Sequence, residues 1–306
     1  MILDSVLPVF ALIAAGAWLR HRGLTDPAFL RTGDRLVYYA FFPALLFWKI
    51  GGTPAAVAVP WRLWAAGLGA ILVLWLVSVV VITAGRVAPF RAGAFSQATY
   101  RFNTYVAIAV VFNAQGDAGV ARLGELLGPA IPLCNVLAVV TLIWFSRDTV
   151  DRRTRVRLTL RALVQNPLIL ACVAGMLWAR LLPAWPQAVD NTLRLAASLT
   201  LPFALISIGG SLTFAGLRER LPLALMATAL KVAVLPLVGW WALDLARVTG
   251  PDLLTAMLFF AMPASTAMYV LSGQLGSDRD LSSAVIVLST LASFVSLSVV
   301  LVVFGS

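Results

Sequence analysis

The sequence is poor in the residues with which soluble proteins cover their surfaces and build catalytic centres. Of its 306 residues, 12% are charged and 61% are hydrophobic. The two cysteines, Cys134 and Cys172, both lie in apolar runs, so we expect neither a disulfide framework nor a zinc cluster. So few charges cannot coat a soluble protein of this size, although they are sufficient where a bilayer covers most of the surface. The mean hydropathy of +0.93 excludes a cytosolic enzyme, a disordered chain and a secreted disulfide scaffold.

Acidic residues are scarce, and none of them falls in the middle of an apolar run. The 13 Asp and Glu residues lie in the loops or near the ends of the runs described below, and the single histidine, His21, lies in a loop. No carboxylate is therefore expected at mid-membrane depth as a proton relay or a charged sodium ligand. The sequence also lacks the H-E-x-x-H, G-x-S-x-G and P-loop patterns, so we expect neither an enzyme nor a cofactor.

The sequence does contain ten apolar runs that are candidates for membrane helices. Such a helix needs about 20 mostly apolar residues to cross roughly 30 Å of hydrocarbon. We interpret the first run as a retained helix, because Asp4 stands where a signal peptide would carry basic residues. The connections are too short for a second soluble domain. With approximate edges, the runs are Leu3–Leu19, Leu36–Ile50, Leu63–Ala84, Gly93–Ala114, Leu126–Phe145, Pro167–Leu182, Leu193–Leu212, Leu221–Leu243, Thr255–Leu275 and Leu281–Phe304.

The two halves of the chain resemble each other at a fixed offset of 159 residues. This shift divides the chain into a first repeat, residues 1–146, a basic linker, residues 147–158, and a second repeat, residues 159–306, with five runs in each repeat. Because five is odd, the second repeat enters the membrane from the opposite side, which is the inverted topology of many secondary transporters. Three prolines of the first repeat fall on prolines of the second, namely Pro8 on Pro167, Pro27 on Pro186 and Pro43 on Pro202.

Basic residues predict the orientation of the chain in the plasma (inner) membrane. Fifteen of the 23 Lys and Arg residues fall in one set of alternate loops, and six fall in the other set. Cytoplasmic loops carry the excess of Lys and Arg, so we expect a cytoplasmic linker and extracytoplasmic termini. The basic run from Arg152 to Arg157 could instead bind RNA or an acidic partner, but a role in setting the topology is the simpler interpretation.

The fourth run carries polar residues near its centre. Arg101, Asn103 and Thr104 lie about ten residues into the run, which at 1.5 Å per residue places them near the bilayer midplane. A guanidinium group and an amide at this depth are costly unless they face a cavity or a polar partner. These three residues are therefore candidates for a substrate site.

The ninth run is interrupted at about the same depth by Pro263, which is followed by Ser265 and Thr266. A proline removes one helical hydrogen bond, and small residues let another backbone approach. The offset places Asn103 on Met262, so the two unusual runs are equivalent members of the two repeats. A matched pair of interrupted helices indicates the binding site of a transporter. The alternative is an ordinary proline kink with a polar interhelical hydrogen bond.

Other polar or helix-breaking residues give weaker signals. Asn135 could belong to the substrate site or form a hydrogen bond between helices, and Lys231 could bind a carbonyl or attract an anion. Thr290 belongs to the candidate site as well, although bonding to its own helix backbone is the simpler role. We expect bends that make room at the centre at four further positions, namely Pro43, Pro202, Gly209 and Gly210.

Together these residues resemble the auxin efflux carrier family, whose members include plant auxin exporters and many bacterial organic-anion carriers. The matches run through nearly the whole chain, and their order and spacing are more specific than any single match. They are Arg101, Phe102, Asn103 and Thr104 in the fourth run, Asn135 in the fifth, Asn166, Pro167 and Leu168 at the start of the sixth, Pro202 and Ser207, Ile208, Gly209, Gly210, Ser211 and Leu212 in the seventh, Lys231 and Pro236 in the eighth, Met262 and Pro263 in the ninth, and Thr290 in the tenth.

The resemblance implies an all-α polytopic membrane protein with ten transmembrane helices in two inverted five-helix repeats, in which helices 4 and 9 are broken and cross at the centre. It also implies a scaffold part and a transport part that move as rigid bodies in an elevator-type cycle. The substrate would lie beside the crossover, with Asn103 among its contacts. The crossover prolines of family members correspond here to Val110 in the fourth run and Met268 in the ninth.

Two classes of function follow from these patterns. A carrier, expected to be an exporter, of a small organic anion such as a carboxylate is favoured by Arg101, by helix-end dipoles and by the lack of central carboxylates. A membrane receptor or scaffold is the second class, although it has little reason to hold Arg101 and Asn103 at depth.

A sodium-coupled symporter of the bile-acid type is a third alternative, on the related fold. It would require acidic or amide clusters at the crossover, where the sequence offers Gln274 and the hydroxyls of Ser265 and Thr266. The partners that we expect are the substrate anion and membrane lipids, with no nucleic acid. A homodimer remains open.

Overall fold

The computed structural model describes residues 2–52, 60–145, 153, 157, 160–161, 164–165, 167–182, 185–211 and 217–305, and every regular element in these ranges is helical. Apart from Arg153 and Arg157, the predicted linker lies outside the described residues, as do Asn166 and Leu212 of the family pattern. The α-helices are α1 (Ile2–His21), α2 (Pro27–Leu36), α3 (Phe42–Gly51), α4 (Trp61–Ala84), α5 (Pro89–Tyr100), α6 (Thr104–Trp144), α7 (Pro167–Leu181), α8 (Gln187–Ser211), α9 (Leu217–Ala229), α10 (Leu235–Leu245), α11 (Gly250–Ala261), α12 (Ala267–Gln274) and α13 (Arg279–Phe304).

Several helical stretches are long and apolar enough to cross a bilayer. Many of their large apolar side chains point outward; Val80, Val295 and Val302, for example, are more than half exposed. Such a surface is unfavourable in water but suits a hydrocarbon environment, in which helices satisfy their own backbone groups. The five stretches identified by length and hydropathy are Trp61–Ala84, Pro89–Leu142, Gln187–Gly210, Glu219–Leu245 and Arg279–Phe304.

The helices pack as two groups. Helices α1, α2, α3, α7 and α8 mainly contact one another, and so do α4, α5, α6 and α9–α13. Contacts between the groups are fewer, and most of them involve α6, which lies against α1, α3, α7 and α8; α1 also contacts α13. One apolar core spans both groups, and a second, smaller core lies within the second group around Phe95, Met268 and Leu281. Both interrupted runs of the sequence lie in this second group.

Glycines bring α1 and α8 into close contact. A β-carbon added at Gly209 would collide with the backbone of Ile13, and one added at Gly16 would collide with the backbone of Ile206. Gly209, where we predicted a bend, therefore lies in a tight helix–helix contact, and Gly210 lies against the side chain of Leu30 in α2. Pro202 lies inside α8, which continues through it.

Short π-helical segments precede two prolines. The segment Val37–Phe41 joins α2 to α3 ahead of Pro43, and the segment Leu230–Val234 joins α9 to α10 ahead of Pro236. The ring of a proline collides with the carbonyl group four residues earlier in a regular α-helix. That carbonyl lies within the π-helical segment in both cases, so the wider turn lets each helix continue past its proline.

Helix α6 consists of two helices that meet at Gly116. This glycine has φ 65° and ψ −158°, outside the helical region. Only glycine adopts such angles without strain. The turn separates residues 104–115, nearly all of which belong to the fourth predicted run, from residues 117–144, which contain nearly all of the fifth.

Candidate functional site

The fourth run is broken where its polar residues lie. Helix α5 ends at Tyr100, and the chain is extended at Arg101 (φ −71°, ψ 142°) and at Asn103 (φ −84°, ψ 102°). The Oδ1 atom of Asn103 accepts hydrogen bonds from the backbone N–H groups of Tyr105 (3.1 Å) and Val106 (3.3 Å). An asparagine in this position is a strong N-cap, so it ends the extended segment and starts α6.

The ninth run is broken at its proline. Helix α11 ends at Ala261, Met262 is extended (φ −64°, ψ 151°), and α12 begins at Ala267. A proline lacks an N–H group and excludes the helical conformation from the residue before it, which explains the end of α11.

The two breaks meet in space. The backbone N–H of Asn103 donates to the carbonyl oxygen of Pro263 at 2.9 Å, and the rings of Phe102 and Phe259 lie 4.3 Å apart. Asn103 and Pro263 are both buried. The interruption predicted in both runs is therefore present, and the backbone groups freed by one break bond to the other.

Side chains from two other helices satisfy the second break. Lys231 donates from Nζ to the carbonyl oxygen of Phe260 at 3.0 Å, and the hydroxyl of Ser296 donates to the carbonyl of Ala261 at 2.9 Å. The backbone N–H of Ala264 donates to the hydroxyl of Ser289 at 3.1 Å. Of the two roles considered for Lys231, the structure shows the carbonyl bond.

Neutral amides hold Arg101 beside the first break. Its guanidinium donates to Oε1 of Gln97 at 2.8 Å and to Oδ1 of Asn135 at 3.1 Å, and the residue is 9% exposed. No salt bridge involves Arg101 in the part of the chain that the structure describes. No carboxylate of the described residues therefore neutralises the guanidinium, and Asn135 positions it.

Asn103 leaves one donor free at the crossing. Its Nδ2 atom is buried and has no hydrogen-bond partner within the described ranges. A buried unsatisfied donor costs roughly 1–3 kcal/mol, so such a group points to a ligand or water that completes it.

The hydroxyl residues of the predicted site divide into two kinds. Thr104, Ser265 and Thr266 are half-buried at the N-terminal ends of α6 and α12, where they line the edge of the crossing. Thr290 is buried and donates to the carbonyl of Ile286 in its own helix at 2.6 Å. Thr290 thus makes the hydrogen bond to its own helix backbone that the sequence suggested.

Two family positions fall outside the breaks. Val110 is buried in the regular part of α6, beyond the break at Arg101–Asn103, and Met268 lies in the first turn of α12. Neither helix is interrupted at the residue identified with a crossover proline, because the asparagine cap and Pro263 already end the helical segments.

Sequence reasoning missed three residues at the site. Gln97 lies four residues before Arg101 on the same helix face, a spacing that could have identified it. Ser289 and Ser296 carried no such signal, because they are ordinary serines of an apolar helix.

Two helical runs are interrupted near mid-length and cross at their breaks, inside a bundle with an apolar exterior. This arrangement defines a polytopic membrane protein with a polar centre. The sequence model of a family described as "membrane transport protein" matches residues 128–301, more than half of the chain. The chain belongs to this family, the auxin efflux carrier family, and the family indicates a membrane transporter. The match covers Asn135, Lys231 and Pro263. No curated protein matches the sequence significantly.

Proposed function

We propose that the protein carries a small organic anion, such as a carboxylate, and that this anion binds beside the two crossed breaks. The observation that carries the proposal is the free amide donor of Asn103, which is buried at the crossing without a partner. A carboxylate oxygen is a suitable acceptor for such a donor.

The electrostatics of the crossing favour an anion over a cation. Helices α6 and α12 both begin there, and the N-terminal end of a helix carries about half a positive charge. Arg101 adds a full charge next to Asn103. The half-buried hydroxyls of Thr104, Ser265 and Thr266 offer further donors to an oxygen-rich ligand.

The helix bounds support two inverted repeats, which we propose as residues 1–146 and 159–306. Shifted by 159 residues, α4 falls on 220–243, within the range of α9 and α10, and α5 falls on 248–259, close to α11. The second part of α6, residues 117–144, falls on 276–303, close to α13. The corresponding elements of the two halves thus follow each other in the same order, as ten spans require.

The separation of the helices into two groups supports an elevator-type cycle. The crossing lies entirely within the group of α4–α6 and α9–α13, so this group would carry the anion as a transport part. The group of α1–α3, α7 and α8 would be the scaffold. In this cycle the transport part slides along α1 and exposes the crossing to each side of the membrane in turn.

We place the linker and the start of α13 on the cytoplasmic side, and we propose export as the direction of transport. Ion pairs join helix ends that this topology places on the same side of the membrane. Arg220 of α9 pairs with Asp278 at the start of α13 at 2.9 Å. At the opposite end, Lys49 pairs with Asp117 at 2.5 Å, and Arg122 pairs with Asp252 at 3.3 Å.

Proteoliposomes that contain the purified protein test the proposal. A panel of small carboxylates is screened by thermal shift, and those that stabilise the protein are then measured as radiolabelled substrates. Asn103→Ala should weaken binding by about 10–100-fold, because a hydrogen bond from the side-chain amide to a charged group is lost. Asn103→Asp, nearly isosteric, should abolish transport, because its ionised carboxylate repels the anion.

Asn191→Ala is the matched control, because Asn191 is an exposed asparagine far from the crossing, and its substitution should leave transport unchanged. Transport by Asn103→Asp at the wild-type rate would remove Asn103 from the substrate site. Binding without uptake by the wild-type protein would support the receptor alternative.

A further inference from the structure

Both half-helices that end at the crossing carry a buried basic side chain at their C-terminal end. Arg101 directly follows α5 and donates back to Gln97 in the last turn of that helix. Lys231 reaches α11 from another helix and donates to Phe260, again in the last turn. Because a helix C-terminus carries about half a negative charge, each end is matched with a cation.

Lys231 is the more unusual of the two. Its side chain is fully buried, and its ammonium is 3.0 Å from the carbonyl oxygen of Phe260. No salt bridge to Lys231 is found among the described residues. A buried charge is costly unless polar groups compensate for it, and the end of α11 is the compensating group that the structure shows.

The surroundings of Lys231 fix its position. It lies in the π-helical segment Leu230–Val234, where one turn of the helix is widened opposite the end of α11. Beside it, Ser296 satisfies the next carbonyl, that of Ala261. Segments of this kind are frequent at functional sites, and here the segment brings an ammonium group to one carbonyl oxygen.

We propose that the ammonium of Lys231 is a built-in cation of the crossing, at the place where a half-helix C-terminus would otherwise bind a free cation. In secondary transporters with interrupted helices, such C-terminal carbonyls are ligands for Na⁺. Lys231 is thus a positioning residue: it holds the end of α11, and thereby Pro263 and its bond to Asn103, without an ion from solution.

The proposal builds on the proposed transport function, but it makes a prediction that needs no substrate. Removing the side chain should open a space that a free cation of the right size can enter. Truncation to alanine removes three of the four side-chain carbons and the ammonium, so propylammonium has nearly the volume and the charge of the lost group.

The experiment measures thermal unfolding of the purified full-length protein in detergent, at constant ionic strength, in choline, sodium or propylammonium chloride. Wild type should unfold at the same temperature in all three salts. Lys231→Ala should unfold about 3–10 °C lower in choline, because the Phe260 carbonyl has lost its partner, and propylammonium should restore most of the loss. Sodium should restore part of it, whereas choline is too bulky to enter.

Two further variants make the test specific. Lys231→Gln keeps an N–H donor without the charge and is the milder change. It should unfold below wild type in choline and gain stability in sodium. Lys49→Met removes the other lysine of the chain, which pairs with Asp117 near the surface, and should show no response that depends on the cation.

The proposal is overturned if Lys231→Gln is as stable as wild type in choline, since a neutral hydrogen bond then suffices. It is also overturned if neither Lys231 variant responds to sodium or propylammonium, because the position is then not a cation site. A failure of the carboxylate screen would refute anion transport but leave these stability results unaffected.

Discussion

Asn103 combines three roles in one side chain and its backbone. Its backbone N–H binds Pro263, its Oδ1 caps α6, and its Nδ2 remains free at the crossing. The cap fixes the orientation of the amide, so the free donor is aimed by the same contacts that form the break. Aspartate would retain the cap but lose this donor, which is why the Asp variant separates a structural role from a binding role.

Arg101 should matter for binding more than for folding. Arg101→Gln removes the positive charge but leaves an amide that can still bond within the Gln97 and Asn135 pair. We expect the anion to bind about ten- to a hundredfold more weakly, while the protein still folds and inserts. Titration of the stabilising carboxylate by thermal shift measures this effect.

Arg194→Gln is the control, because Arg194 is exposed and its guanidinium donates a hydrogen bond to nearby Asn191. An unchanged affinity in Arg101→Gln would make Arg101 a structural residue that satisfies its neighbouring amides.

At the scale of single elements, close approach of helix backbones holds the helices together as much as polar contacts do. Helices α1 and α8 are in contact through Gly16 and Gly209, and the hydroxyl of Ser207 on α8 also donates to Asp34 on α2. These contacts join the helices of the proposed scaffold. A rigid scaffold is what an elevator-type cycle requires, because the moving part must slide against a fixed surface.

Gly209→Ala should therefore destabilise the protein. The new methyl group would collide with the backbone of Ile13, and a backbone collision cannot be relieved by a side-chain rotation. We expect a loss of about 3 kcal/mol and a thermal midpoint lower by about 5–10 °C.

Gly69→Ala is the matched control for this substitution. Residue 69 is also a helical glycine, but an added β-carbon meets no atom within 4 Å. Its midpoint should stay the same or rise slightly, because alanine favours the helix by up to about 1 kcal/mol. Equal stability of Gly209→Ala and wild type would show that α1 and α8 are free to separate.

At the scale of the whole molecule, contacts between helix ends show which ends lie on the same side of the bundle. The backbone N–H of Asp278 donates to the carbonyl of Phe90 at 3.0 Å, so the starts of α5 and α13 lie together. Gln115 donates to the carbonyl of Pro251 at 3.0 Å, so the turn within α6 lies beside the start of α11. The proposed orientation assigns the first pair to the cytoplasm and the second pair to the outside.

Cysteine labelling tests this orientation. In a variant without Cys134 and Cys172, a cysteine is introduced either at Thr249 or at Arg153, both of which are exposed. A membrane-impermeant maleimide should label Thr249→Cys in intact cells and Arg153→Cys only after permeabilisation, because the excess of Arg lies on the cytoplasmic side. Labelling in the reverse pattern would show that the topology is the opposite of the one proposed.

The sequence by itself determined the helical class, the apolar exterior and the positions of both breaks. Apolar runs have the length that hydrocarbon requires, and the central Asn103 and Pro263 end helices by local chemistry: a side-chain cap in one case and a missing N–H in the other. These effects act within a few residues, so they can be predicted from a short stretch of sequence.

Only the tertiary structure decided which groups satisfy the breaks. The contacts of Lys231 with Phe260 and of Asn103 with Pro263 join residues that are far apart in the chain. Their geometry depends on how whole helices pack, which in lipid is set by small residues and interhelical hydrogen bonds rather than by local propensity. For the same reason Lys231 could be predicted to bind either a carbonyl or an anion, and only the position of α11 selected the carbonyl.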